Sequence, residues 1–372
     1  MDQCYACDCE IVKENASVEH ILLNSCGGRL KSKKLLCKKC NSELGERYDA
    51  ELAKQLNHFA NILLIKREKG KPQPTEAIND RTGETYSIGE DGRPRLSKPE
   101  IVEEKKDEMV QLSVKANNAK ELYKILKGLK RKYPQLDIDS ILSGAQEKEL
   151  YIDEPLHSNI SVGGPEANQS IVKSAIDFYL FKQNSRINIL QIISNLKYGN
   201  SNLDVEPINL EKSIYEIDKN SVCHFIAIIG DEVESVLYSY VEYFGIYGFI
   251  VKLNMDYTGP EIFDTYCFDV LKGKEVHPKT NNFIDSRSIR DYSLPKSDPR
   301  FDVLRERVGR VLTIAFKRQN DNEIGRIAKK SWEESLGKYP EGTIITSEIA
   351  SELSSAVYKN MMPYILRNLK SE

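Results

Sequence analysis

Two C-x-x-C pairs, Cys4/Cys7 and Cys37/Cys40, bracket the first 40 residues and constrain this chain more than any other feature. Two such pairs supply the four thiolates of a closed tetrahedral Zn(II) site, which is structural rather than catalytic because no position is left open. Six of the eight cysteines (Cys4, Cys7, Cys9, Cys26, Cys37 and Cys40) fall in this segment. The start MDQCYACDCE has neither a basic nor an apolar leader stretch, so the clustering points to metal rather than disulfides and to a cytoplasmic protein. Four reduced, buried thiols are the alternative, but two pairs at this spacing seldom coincide. Cys9 and Cys26 read as bystanders, with a competing-ligand role the alternative for Cys9.

The 29 residues between the pairs exceed the roughly 15–20 of a simple zinc ribbon, so something is inserted. ASVEH reads as a short strand ending at His20, LLNSCGGRLKSK as a Gly-punctuated basic loop, and KLLC as a short return strand. From Asn41 the pattern turns helical, with Leu44, Tyr48, Leu52, Leu56 and Ala60 on one face. Strand, loop, strand and helix are then tied by zinc at both ends.

These residues resemble the zinc-bearing HNH endonucleases of the ββα-metal fold, whose pattern runs C-x-x-C, [D/E]-H-I-x-P-x-[S/A]-x-G-G, C-x-x-C-N, then G and D. Glu19, His20, Ile21, Ser25, Gly27, Gly28, Cys37, Cys40, Asn41, Gly45 and Asp49 follow it in order, over roughly the first 60 residues. The resemblance implies a phosphodiesterase in which His20 is the general base and Glu19 with Asn41 holds one Mg(II) or Mn(II). A histidine with an ordinary pKa of about 6.5 suits the first role, and hard oxygen ligands suit the second. Two positions depart from the pattern: Leu23 replaces a proline, and Ser32 replaces the central asparagine that orients the loop and the histidine. Asn24 is the substitute for that hydrogen-bonding role. Asp49, two turns beyond Asn41, either orients the site from behind its ligands or forms a surface ion pair.

A net charge of -3 excludes a uniformly basic nucleic-acid binder, so any phosphate-binding surface is local. Arg29, Lys31, Lys33, Lys34, Lys38 and Lys39, with no acid among them, flank the histidine and read as a DNA-backbone contact rather than only a solvated loop.

The expected fold class is α+β. A small zinc-stapled ββα domain (1–65) is followed by a linker with a hairpin and helix (66–160), then an α+β domain with an antiparallel meander and helical tail (161–372). Residues 66–84 read as linker, ETYSIGEDGRPRL as a hairpin, and NAKELYKILKGLKRKYPQ as a helix opened by an Asn118–Glu121 capping pair. After Gly163-Gly164 come a proline-led helix carrying Lys173 and the strands CHFIAIIG, VESVLYSYVEYF and FIVKLN. This part is similar to the companion domain of longer bacterial HNH proteins, in its G-G, K-x-A, H-x-I-x-I and V-x-x-F-G elements. Proteins of that build imply restriction or phage defence, with foreign or phage double-stranded DNA as substrate and room for a homodimer or defence partner. The aromatics Tyr238, Tyr240, Tyr243, Phe244, Tyr247 and Phe249 read as sheet packing before base stacking. Cys223, His224 and Cys267 lack partners at metal spacing and read as structural. A non-catalytic zinc module that binds nucleic acid is the alternative function. A third reading makes the region after residue 163 a sensor that activates cutting.

Overall fold

The computed structural model describes residues 2–370 except 69, 107–108, 147–150, 153, 200–204, 209, 211–212, 281–284 and 291–300. The chain is α+β with antiparallel sheets, and it divides into two compact units. One comprises Met1–Gln73 with Ile160–Lys317, the other Pro74–Asn159 with Arg318–Glu372. These units are drawn differently from the three segments expected above: the N-terminal domain shares a unit with the region after residue 160.

The first unit opens with β1 (Glu19–His20) and β2 (Lys31–Ser32), followed by α1 (Lys38–Leu44), a π-turn at Gly45–Asp49 and α2 (Ala50–Ile62). The return strand lies at Lys31–Ser32, not at residues 34–37 as expected. The glycine pair is the reason. Gly27 has φ +97°, and a Cβ on Gly28 would stand 2.1 Å from the Leu22 carbonyl, so the chain turns back tightly there. Glu19 therefore pairs with Ser32 and His20 with Lys31. KLLC instead buries Leu35 and Leu36 and bridges Cys37 to Ala16.

The second unit begins with β3 (Thr75–Asn79), β4 (Thr85–Ile88) and β5 (Pro94–Leu96), then the ribbon of β6 (Glu100–Lys106) and β7 (Met109–Lys115). The helices α3 (Ala119–Lys132) and α4 (Ile138–Gly144) and the short β8 (Leu156–His157) follow. The β4–β5 hairpin forms as expected, and the Asn118 side chain caps α3 by accepting from the Glu121 N–H at 2.9 Å. The stretch expected to be linker is partly strand, because TEAIN forms β3 and pairs with both β4 and β8.

The first unit resumes with α5 (Pro165–Phe181) and α6 (Leu190–Tyr198) and then a six-stranded antiparallel sheet. Its strands are β9 (Val205–Ile208), β10 (Cys223–Asp231), β11 (Val236–Tyr243), β12 (Tyr247–Asn254), β13 (Ile262–Asp269) and β14 (Lys274–Val276), in the order 14-13-10-11-12-9. Strand alternation gives the sheet two apolar faces. Ile226, Ile228, Val241 and Val251 join α5, α6 and the N-terminal domain in one continuous core, whereas Phe225, Ala227, Tyr238 and Tyr240 pack on the other side with Ile214 and Tyr215. After the short α7 (Ser286–Ile289), α8 (Phe301–Ser335) is divided between the units, and α9 (Ser347–Lys370) belongs to the second. Five of the six meander aromatics are buried and Tyr247 is half-buried, so they serve packing. Among the described residues no helix is long and apolar enough to cross a membrane.

Candidate functional site

The thiols assemble first. The Sγ atoms of Cys4, Cys7, Cys9 and Cys37 all lie within 4.8 Å of one another, and the Cys40 thiol contacts those of Cys7, Cys37 and Cys4. Cys9, read as a bystander or a competitor, thus stands inside the cluster with the four expected ligands. Crowding makes the thiols unequal. Cys7 is lowered to about 7, with burial opposing and the Cys9 N–H and neighbouring thiols favouring its thiolate. Cys9 is pushed up to about 12 by its hydrogen bond with Cys7 and by burial. Sulfurs gathered this closely are a donor set compatible with zinc, which takes its ligands as thiolates. Cys26 is buried and lies outside the cluster.

Glu19 and His20 are adjacent on β1 and face opposite ways. The His20 Nε2 meets Glu68 Oε2 at 3.0 Å, and Lys31 Nζ meets Glu68 Oε1 at 2.8 Å. Hydrogen bonds from Lys31 and His20 hold the Glu68 carboxyl down at about 2, so Glu68 is an anion and accepts the Nε2–H. That tautomer leaves Nδ1 as the basic nitrogen. The Asn24 side-chain Oδ1 accepts from Arg29 Nη1 at 3.0 Å and from the Glu68 N–H at 3.2 Å, which ties the loop to the histidine's partner. Glu68 was missed because it lies in a polar stretch that reads as linker, 48 residues from His20.

Glu19 is 3% exposed. Its Oε1 is hydrogen-bonded by the ammonium of Lys173, which α5 delivers from 154 residues away. The same ammonium reaches Asp49 Oδ2 at 3.0 Å and Asp177 Oδ2 at 3.6 Å. The π-turn between α1 and α2 ends at Asp49, and Ser170 donates to Asp49 Oδ1 at 2.6 Å. Asp49 therefore sits behind Glu19, joined to it through Lys173, and not in a surface ion pair. Burial opposes the charge of Lys173, but Asp49, Glu19 and Asp177 outweigh it and hold the ammonium well above its ordinary pKa. Burial pushes the Asp177 carboxyl well up, against the pull of Lys173. The buried Tyr5 phenol belongs to the same electrostatic cluster.

Asn41 donates from Nδ2 to Ser17 Oγ at 2.9 Å and to the Val18 carbonyl at 3.2 Å, one residue ahead of Glu19. Ser32, opposite Glu19, accepts from the Lys34 N–H at 3.1 Å and so fixes the turn after β2. The pair predicted to hold a catalytic ion is near in space, but the two residues do not form an open cation site in this arrangement. Glu19 is closed off from solvent and held by an ammonium.

Of the basic residues, Lys31, Lys33, Lys34, Lys38 and Lys39 are exposed. Lys31 pairs with Glu68, Lys34 with Asp2 at 3.6 Å and Lys39 with Glu43 at 3.9 Å. Arg29 turns inward to Asn24 and the Gly28 and Lys66 carbonyls, which makes it a loop brace.

Residues 4–57 match the family model described as HNH endonuclease. The match runs from the first thiol of the cluster to α2 and takes in Glu19, His20 and Asn41, so this part of the chain is an HNH domain and the nuclease it supports is of the HNH kind. Neither the curated proteins nor the solved structures gave a match. The rest of the unit grips the HNH domain through the residues that carried the second resemblance. Lys173 of K-x-A holds Glu19. His224 of H-x-I-x-I meets the Cys26 carbonyl with Nε2 at 2.9 Å and accepts the Phe244 N–H on Nδ1 at 3.0 Å. Phe244, at φ +59°, packs its ring against Phe59 of α2.

Proposed function

We propose that the protein is an endonuclease that hydrolyses phosphodiester bonds of double-stranded DNA with Mg(II) or Mn(II), acting in the cytoplasm against phage or other foreign DNA. The observation that carries this reading is His20: a half-exposed imidazole, braced by an anionic carboxylate, beside exposed lysines, in a domain of the HNH kind. Glu68 accepts the Nε2–H and so presents Nδ1 to a water in line with the phosphate. Lys33 and Lys38 meet the DNA backbone, which fixes the duplex without reading its sequence. Zinc, held by Cys4, Cys7, Cys37 and either Cys40 or Cys9, supplies no chemistry beyond pinning β1 and α1 together. Glu19, buried and paired with Lys173, is not free to hold the catalytic ion in this arrangement. Cutting falls by about 10²- to 10⁴-fold in His20→Ala when full-length protein is incubated with plasmid and Mn(II). Undiminished cutting by that variant would remove His20 from the mechanism, and no cutting of any nucleic acid by the wild type would leave the binding module. The buried, paired Glu19 is the observation that favours that second reading.

A further inference from the structure

We propose that the Lys173 ammonium is the resident cation of the HNH domain, holding Glu19 and Asp49 closed to a divalent metal, so that α5 is an internal brake on cutting. Its effect on cutting rests on the nuclease reading above; its effect on metal binding does not.

The position of the ammonium comes first. Glu19 is the acid of the Glu-His pair, and Lys173 donates to it and to Asp49 while facing Asp177. An ammonium is a compact single charge with three donors, and here it donates to Glu19 and Asp49 with Asp177 3.6 Å away. Mg(II) needs oxygens at about 2.0–2.1 Å and keeps several of its waters, so a buried Glu19 whose Oε1 is already held by the ammonium has no room for it.

Burial makes the exclusion strict. Lys173 is 2% exposed, Glu19 3% and Asp177 fully buried, so solvent meets the cluster only on its Asp49 side. The helix that carries the lysine is fixed by Ile171, Val172, Ala175 and Ile176, all fully buried. This is a built contact and not a surface side chain that happens to lie nearby. One ammonium among three carboxyl groups also leaves the cluster short of donors. The ammonium stands 3.6 Å from Asp177, too far for a full hydrogen bond, and the buried Tyr5 phenol is the donor that faces this carboxyl. A divalent ion would supply the missing charge, but only after the ammonium leaves. Metal binding and α5 docking are then linked and opposed: whatever draws Lys173 away raises metal affinity, and metal in turn weakens the docking.

The test uses full-length wild type, Lys173→Met and the double variant Lys173→Met/Asp177→Asn, each confirmed folded by circular dichroism. The double variant removes a buried acid together with the ammonium, which keeps the test open if the single variant does not fold. Mn(II) is titrated calorimetrically, and Tm is read with and without it. The expected result is Mn(II) binding tightened about tenfold or more in the folded variants, a Tm that rises with Mn(II), and loss of the gain on adding Glu19→Gln. Mn(II) binding that is unchanged or weaker in a folded variant overturns the inference. Plasmid cutting by the same samples separates the two readings. Tighter Mn(II) with no cutting by any sample, wild type included, retires the nuclease and leaves Lys173 as resident cation. A wild type that cuts beside variants that bind Mn(II) no better retires the brake alone.

Discussion

Glu19 and His20 are consecutive residues with opposite surroundings. Glu19 is sealed against α5 and balanced by an ammonium from another part of the chain, whereas His20 stands at an edge, tied to Glu68 beside exposed lysines. The strand's period of two produces the split, since neighbours on β1 point to opposite faces. The difference teaches that a two-residue motif can serve two ends at once: one face docks a companion region, and the other, in the nuclease proposed above, is left for substrate. On the proposed brake, α5 would govern the site through the buried face, where Lys173 holds Glu19, and not through the histidine.

The largest expected effect comes from breaking the buried side. Glu19→Ala leaves Lys173 without its first partner in a place water does not reach, and removing one member of a buried pair costs about 3–5 kcal/mol. His20→Ala removes a half-exposed side chain and costs about 1 kcal/mol or less. Urea unfolding of both variants checks this, and equal losses would mean that the two faces are not energetically distinct.

His224 sharpens the buried side further. Its ring is neutral, giving one hydrogen bond and accepting another, and burial lowers its pKa to about 4. The folded pKa lies below the unfolded value of about 6.5, so the contribution is complete above pH 6.5 and is lost as pH falls toward 4. The loss amounts to about 3 kcal/mol. Stability measured between pH 7 and 4 should fall more steeply in wild type than in His224→Gln. Parallel profiles would show that the clasp on the Cys26 carbonyl is not what acid breaks.

Much of the HNH domain was legible in the sequence because its signals are local. Cysteine spacing, the glycine pair and the Leu44 to Ala60 stripe each specify structure within a few residues. The same held for the Asn118 cap and the β4–β5 hairpin. What could not be read depends on chain that is distant in sequence. Nothing around Lys173 marks it as the partner of Glu19, since a lysine inside an amphipathic helix normally reads as solvent-facing, and only tertiary packing turns it inward. Glu68 was hidden by its polar surroundings. The early return of the chain at Lys31–Ser32 was missed because a two-residue strand carries no period, and the tight approach of Gly28 to Leu22 that dictates it shows only in three dimensions.

The smallest expected effect on stability, and the sharpest on function, is at Glu68. It is an exposed partner, so its removal should leave unfolding almost unchanged. The imidazole would lose the acceptor that selects its tautomer, and kcat for plasmid cutting should fall about tenfold with KM unchanged, because the duplex is held by other residues. Glu68→Gln separates orientation from charge, since its amide oxygen still accepts the Nε2–H. Recovery of kcat in Glu68→Gln over Glu68→Ala assigns the carboxylate to positioning. An equal loss in both would place its role in the charge it shares with Lys31. A rise in KM alone would move Glu68 from the histidine to the DNA contact and dissolve the contrast between the two faces of β1.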